Sequence, residues 1–474
     1  MTFYFFDVET SGFRPRDDRI MQFAGQRTDM ELNPIGEPDN ILIKITPDFL
    51  PQPDAVLVHG ITPQKTLTEG ISEAEFAKYL TSQVSTSDTI LVGYNNIRFD
   101  NEFIRFTLWR NFHDAYEWSW KDNRSIWDLL DVTRMTRALR PEDIKWPFAP
   151  DGKPSNKLEY LSAVNKLDHV DAHDALSDVN ASIALARLLK SKQPKLFNYL
   201  LEHRSKNKVA PLVTSGKPLV YTSGRYPSEF NKTTVAVMVA QKDDKSGALM
   251  YDLRIDPDEF TALPSAELAK RWAARGEDVP YFPIKTMGFN RCPAIAPIEV
   301  LAKDNGYEKL QLHKETIKSH LQKLQKASGF DKKLLEALEI MWPKRQARLV
   351  ADVQKVDGAL YDDFVPNDDR TKMSVVRAAE PAKLSDLNLE FKDERLKLLL
   401  PLYKARNYPK QLSESELVDW DEFRRRKLVG SGSADNFFKR LAEISKTPGL
   451  GGEKQYLLEE LNLYAQSILP IPAD

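Results

Sequence analysis

Two carboxylates, Asp7 and Glu9, sit two residues apart at the end of an apolar, aromatic run that begins at Thr2. Strand side chains alternate faces, so these two point the same way. Carboxylates held that close repel unless a cation lies between them, and hard divalent cations take oxygen ligands. Read alone, the pair is also compatible with a polar strand end facing water. Asp100 opens a helical segment after the Asn-rich turn that follows Gly93. An acid there is an ordinary helix cap as well as a ligand candidate. His173 precedes Asp178 by five residues at the start of another helical stretch. An imidazole titrates near neutrality and can take a proton from water, although a lone histidine at a helix start is commonly structural.

The elements that must position these groups can be read from periodicity. Thr2–Val8, Ile20–Thr28 and Ile41–Ile45 are strand-like, and the short turn-rich connections between them predict antiparallel neighbours. Ser72–Val84 is helical, with Glu75 three residues after Ser72 as a capping signal. Thr89–Tyr94 is a short strand, and Asn101–Asn111 and Ile126–Leu139 follow as helices. A last helix, Ala172–Lys190, carries apolar residues at helical spacing from Ala175 to Leu189. Such an α/β order is compatible with a ribonuclease H-like sheet and with other mixed folds. Lys208–Tyr251 has the short alternating runs of a small β-barrel, with a helix at Ser265–Ala274. Val300–Gln354 and the chain from Asn367 to Leu469 are predicted to be helical.

Composition narrows the class. The chain has 474 residues, enough for several domains, and 42% hydrophobic residues, enough to pack them. Its single cysteine, Cys292, can form no internal disulfide, and a reducing cytoplasmic compartment is expected. The N-terminus lacks the basic flank of a signal peptide, and no apolar run reaches membrane-spanning length. Residues 1–190 hold 21 basic and 29 acidic residues, whereas the remainder holds 46 and 40. Seven basic residues fall between Arg187 and Lys208 against one acid, Glu202. An acidic half with a basic stretch behind it suits a metal site joined to a polyanion surface, and equally a solvated charged face.

Taken together, Asp7, Glu9, Asp100, His173 and Asp178 form an ordered pattern that resembles the DEDD exonucleases of the histidine subclass. The wider text is similar to the bacterial exonuclease I family: DVETSG, QFAGQRTD, LPQPDAVLVHGITPQ, GYNNIRFDNEFIR, RNFHDAYEWSW, WDLLDVTRMTRALRPE and AHDALSDVNASIALA. The likeness is dense over about residues 3–205 and thinner beyond, with islands at NRCPAIAP, LYDDF and LYKARNYP. Val8 stands where a relative carries an aromatic, and Lys157 where an arginine is common.

The resemblance implies an α/β ribonuclease H-like DEDD exonuclease domain (1–192), an SH3-like β-barrel that clamps DNA (193–354) and a helical C-terminal domain (355–474). It implies 3′–5′ removal of 5′-mononucleotides from single-stranded DNA, in repair and recombination, with two Mg²⁺ ions, or Mn²⁺, roughly 3.5–4 Å apart. Asp7, Glu9, Asp100 and Asp178 would ligate the metals and His173 would act as base. The implied substrate contacts are Glu9, Thr10, Arg105, Tyr116, Trp120, Arg134 and Lys157. Among the aromatics near residue 120, Phe112 and Trp127 are expected in the core, and Trp118 is expected on DNA with Tyr116 and Trp120. The expected protein is a monomer that meets single-strand-binding protein through that partner's acidic tail. A proofreading subunit, an RNA-trimming enzyme and an inactive nuclease fold that only binds are the competing readings.

Overall fold

The computed structural model describes residues 1–167, 174–276, 278–342 and 351–470. Strand β1 (Thr2–Thr10) is the centre of a five-stranded sheet. Strands β2 (Ile20–Thr28), β3 (Asp39–Leu42), β4 (Thr89–Gly93) and β5 (Ser125–Asp128) complete it in the order β3-β2-β1-β4-β5. The first three strands are antiparallel, as their short connections require, and β4 and β5 run parallel to β1. β1 is apolar on both faces because helices cover both. Phe3 and Phe5 pack with Val179, Ile183 and Ala186 of the Ala175–Lys192 helix. Tyr4, Phe6 and Val8 pack on the opposite side with Phe76, Phe103 and Leu108.

The expected helix Ile126–Leu139 is instead β5 followed by a helix, Leu129–Leu139. β4 needs a partner along its free edge, and Trp127 fills the core between Phe3 and Phe197, with ring centroids 6.2 and 5.0 Å away. Asp128 then starts the helix by accepting from the Leu130 amide at 2.9 Å. The third strand lies at Asp39–Leu42 rather than Ile41–Ile45. The capping box at Ser72 has both reciprocal bonds, but the regular helix ends at Tyr79 and a wider turn carries on to Val84.

The expected β character from Lys208 is also corrected. Lys206–Thr214 is a helix, because Val209 and Val213 bury one turn apart against the second sheet. That sheet is wholly antiparallel, in the order β10-β6-β7-β8-β9. Its strands are β6 (Leu219–Thr222), β7 (Thr233–Gln241), β8 (Gly247–Asp252), β9 (Ile284–Gly288) and β10 (Ala294–Pro297). Its core is continuous with the first: Val220, Val235 and Leu249 belong to the same packed cluster as Trp127 and Phe197.

Helices Asn367–Ala378, Glu394–Asn407, Glu414–Arg425, Ser433–Ser445 and Gly452–Ile468 dominate the last part of the chain. They dock on the first sheet's helices through shared apolar clusters, one around Trp109 and Phe112, the other around Val56 and Ile61. A buried ion network joins the same two parts. Arg406 contacts Asp48 at 2.8 Å and Asp357 at 2.7 Å, Lys427 contacts Asp48 at 2.6 Å, and Arg19 contacts Asp357 at 2.7 Å. Burial pushes the Asp48 carboxyl up, but Arg406, Lys427 and Arg19 outweigh it and hold it well below the usual carboxylate range. Arg406→Met, which leaves two buried carboxylates short of a partner, is expected to cost about 3–5 kcal/mol in chemical denaturation. A loss under about 1 kcal/mol would show that the network does not tie these domains together. No helix among the described residues is long and apolar enough to cross a membrane.

Candidate active site

β1 delivers the first two groups. Asp7 lies opposite Ala24 and Glu9 opposite Gln22, and the pairing with β2 slips between Glu9 and Thr10. Such a bulge re-aims the strand end. Both carboxylates emerge on the Phe3 and Phe5 face, beneath the helix that carries Asp178. Carboxylate oxygens of Asp7, Glu9 and Asp178 all lie within 4.8 Å of one another. Asp100 is buried at the first turn of the Asp100–Arg110 helix, and its Oδ1 accepts from the Val8 amide at 3.3 Å. It is not part of the tight group of three, yet its charge is felt by both Asp7 and Glu9. His173 lies outside the described residues.

The electrostatics are those of a site with excess negative charge. Burial, then the charges of Asp178, Asp100 and Asp174, push the Glu9 carboxyl up to about 8. Asp7 is raised well above its usual range by burial and by Asp100, Asp178 and Glu9. Burial raises Asp100 to about 7 against the pull of backbone amides, with Asp128 and Asp178 adding to the rise. The donor set is all oxygen, which fits a hard divalent cation. In EDTA, the native protein therefore holds more protons than the unfolded chain between about pH 4.5 and about pH 8. Its stability is expected to fall as pH rises through that window, and saturating Mg²⁺ to flatten the slope. Denaturation midpoints across pH, with and without Mg²⁺, check this, and a metal-free slope of the opposite sign would refute it.

Three neighbours went unnoticed in the sequence. Asp174 caps the Asp178 helix by accepting from the Ser177 amide at 3.2 Å, and also accepts from Gln22 Nε2 at 3.1 Å. Gln22 is cross-strand from Glu9 and donates to Asn40 as well, at 2.9 Å. Asp128, pushed to about 6 mainly by burial, accepts the amides of Asn95, Ile97 and Leu130. A buried glutamine on an otherwise apolar strand and an acid at a helix start were the available signals. The loop after β1 is packed tightly: a Cβ on Gly12 would lie 2.4 Å from Gln52 Nε2. Thr10 is buried, and its hydroxyl donates to the Gly12 carbonyl at 2.7 Å.

The remaining candidate contacts fall into two groups. Arg105 pairs with Glu102 at 2.6 Å and lies over the Tyr116 ring at 5.5 Å. Tyr361 of the C-terminal helical part donates to the same Glu102. Trp120 is 61% exposed. Arg134 pairs with Asp131 at 2.6 Å, and a Cβ on Gly224 of the barrel would sit 2.9 Å from its Nη1. Lys157 is exposed, 3.3 Å from Glu159 and over the Tyr160 ring. Trp118 does not join this group. It is 2% exposed and packs edge-on against Phe6, so its place on DNA is withdrawn. Phe112 and Trp127 are core residues, as expected.

A ribonuclease H-like sheet whose central strand presents two carboxylates to a third on the covering helix defines a DEDD-type exonuclease domain. The comparisons with known proteins agree. The chain matches the family models Exonuclease over residues 4–186, Exonuclease I SH3-like domain over 204–339 and Exonuclease I C-terminal domain over 354–468. It is 37% identical over 476 residues to exodeoxyribonuclease I of Haemophilus influenzae, covering 99% of each chain. It superposes on exonuclease I from Methylocaldum szegediense with a TM-score of 0.92 at 38% identity, over 99% of each chain. A structure of Escherichia coli exonuclease I in complex with an oligonucleotide also gives a TM-score of 0.92, at 37% identity, covering 98% of this chain and 99% of that one. The chain belongs to the exonuclease I family and is a nuclease. Its exonuclease domain implies dependence on a divalent metal.

Proposed function

We propose that this protein is a 3′–5′ exonuclease that releases 5′-mononucleotides from single-stranded DNA. The observation that carries the reading is the convergence of Asp7, Glu9 and Asp178 within 4.8 Å, with Asp100 beside them. Asp7, Glu9, Asp100 and Asp178 hold two divalent cations, Mg²⁺ by preference and Mn²⁺ as an alternative. When bound, such a pair lowers the pKa of the attacking water and offsets charge on the phosphate and the leaving oxygen. Glu9 and Thr10 sit beside the terminal nucleotide, and His173 takes the proton as general base. Arg105, Tyr116, Trp120, Arg134 and Lys157 hold the strand. Residues 1–192 cut, 193–354 clamp and 355–474 close the groove.

An E. coli relative solved as a zinc-bound complex with single-stranded DNA supports the substrate class. A solved SSB/exonuclease I structure, 36% identical to this chain, supports SSB as a partner. We place the protein in the cytoplasm, as a monomer, in repair and recombination of DNA. Incubating 5′-labelled single-stranded DNA, duplex DNA and RNA with Mg²⁺ or EDTA tests the reading. A ladder of shortened single-stranded DNA in Mg²⁺ alone is expected, and preferential RNA cleavage or release of the 5′ label first would overturn it. Exposed aromatics stack on unpaired bases, so Trp120→Ala is expected to weaken oligonucleotide binding by about 1–3 kcal/mol. Fluorescence anisotropy in EDTA measures this, and unchanged affinity would take Trp120 out of the strand's path.

A further inference from the structure

Two kinds of contact hold the Asp178 helix to the sheet. Along its length, Val179, Ile183 and Ala186 pack with Phe3 and Phe5 of β1. Apolar contact is non-directional and leaves a helix some freedom to slide or turn. Metal ligands tolerate little of either, about 0.5 Å. Directional bonds must supply the rest. At the far end, Arg187 donates to the Leu32 carbonyl at 2.6 Å and Lys190 to the Met30 carbonyl at 2.7 Å. Those bonds lie roughly 13 Å or more beyond Asp178 along the helix axis. At the near end, Gln22 Nε2 of β2 donates to Asp174 Oδ1 at 3.1 Å, while Asp174 Oδ2 accepts the Ser177 amide at 3.2 Å. One carboxylate thus starts the helix that carries Asp178 and is gripped by the sheet that carries Asp7 and Glu9.

The place of Gln22 suits it to that grip. It pairs with Glu9 across β1 and β2, so its side chain shares the face of the Asp7 and Glu9 carboxylates. It is 5% exposed, between the buried apolar residues Met21 and Phe23. Asn40 of β3 accepts from the same Nε2 at 2.9 Å and steadies the amide. Asp174 stands near enough to Asp7 and Glu9 for its charge to act on both. Among the described residues the buried Oε1 of Gln22 has no hydrogen-bond partner. A buried acceptor without a donor costs free energy that an apolar side chain of similar size would not. Fold stability alone therefore does not account for an amide at this position.

We propose that Gln22 is a positioning residue for cleavage: through Asp174 it fixes where the Asp178 carboxylate stands relative to Asp7 and Glu9, and so how closely the three fit divalent cations. The inference rests on the metal-site reading above and deepens it. Gln22 ligates nothing itself. It acts through Asp174 and the helix start, as partners of metal ligands do when they orient the ligands.

The test compares the unaltered protein with Q22L, Q22E and Q22E/D174N. Mn²⁺ binding is read by calorimetry, hydrolysis on an oligothymidylate, and melting and oligonucleotide affinity in EDTA. Q22L is expected to lower kcat and to weaken Mn²⁺ binding by about 10–100-fold each. KM, affinity in EDTA and the EDTA melting midpoint, within about 3 °C, are expected to stay as they were. Q22E sets two carboxylates against each other and is expected to lose at least as much. In Q22E/D174N donor and acceptor change places, the pair keeps its net charge, and an amide oxygen still caps the Ser177 amide. That variant is expected to regain at least about threefold over Q22E in both kcat and Mn²⁺ affinity. Normal Mn²⁺ binding and kcat in Q22L overturn the proposal, and so does a double variant no better than Q22E. A loss in Q22L matched by a lower EDTA midpoint also overturns it, since the amide would then serve the fold. Failure of the unaltered protein to bind Mn²⁺ would instead overturn the metal-site reading and this inference with it.

Discussion

Asp178→Asn is expected to lower hydrolysis of single-stranded DNA by at least about 10³-fold, a barrier increase of about 4 kcal/mol, while binding in EDTA persists. The substitution keeps the side chain's shape and removes the charge from one corner of the three-carboxylate group. Asp178 belongs to a long helix whose apolar face, Val179, Ile183 and Ala186, is packed on β1 independently of the carboxylate. Folding should therefore survive. The metal-free variant should be more stable than the unaltered protein above about pH 7, because one of the mutually repelling charges raising Glu9 and Asp7 is gone. Steady-state digestion and denaturation at two pH values measure both effects. Near-normal turnover would remove Asp178 from the metal site. Lost turnover with lost stability would mean that the carboxylate serves the fold.

The second large effect is expected at His173. Replacing it with alanine should slow the single-turnover rate by about 10²–10⁴-fold with little change in metal affinity, since a base acts on the water and not on the ligands. In the unaltered protein the rate should rise with pH through the imidazole range near 6.5, and His173→Ala should lose that limb. A variant that keeps both the rate and the pH limb would exclude the histidine as base. A variant with weakened metal binding would make it a ligand or a support for one.

Much of the site was legible because its chemistry is local. Asp7 and Glu9 share a strand face by alternation alone, Asp100 opens a helix after a short apolar strand, and Asp178 lies in the first turn of a helix whose period is clear. What brings them together is not local. The parallel pairing of β4 with β1 and the packing of the Ala175–Lys192 helix across the sheet decide that the carboxylates meet. Asp174, Gln22 and Asp128 escaped notice because their roles depend on cross-strand register and caps. β5 was read as helix because Ile126 and Trp127 run without a break into the Leu129–Leu139 pattern, and a four-residue apolar strand has no period of its own. The helix Lys206–Thr214 is hidden for the converse reason: Pro211 interrupts its spacing, and the alternating runs that follow at Pro218–Thr222 and Thr233–Val239 extend a β reading back over it. Trp118 shows that an aromatic cluster in sequence does not distinguish rings that face a ligand from rings that fill the core. The ion network at Asp48 and Asp357 joins residues more than three hundred positions apart, so no window of sequence could reveal it.

Counting manganese ions bound per chain, by calorimetry or by electron paramagnetic resonance, tests the central claim most directly. With a non-hydrolysable single-stranded oligonucleotide present, two ions per chain are expected, and fewer in Asp7→Asn and Asp178→Asn. Saturable binding that is absent from the unaltered protein, or that neither substitution weakens, would contradict the claim.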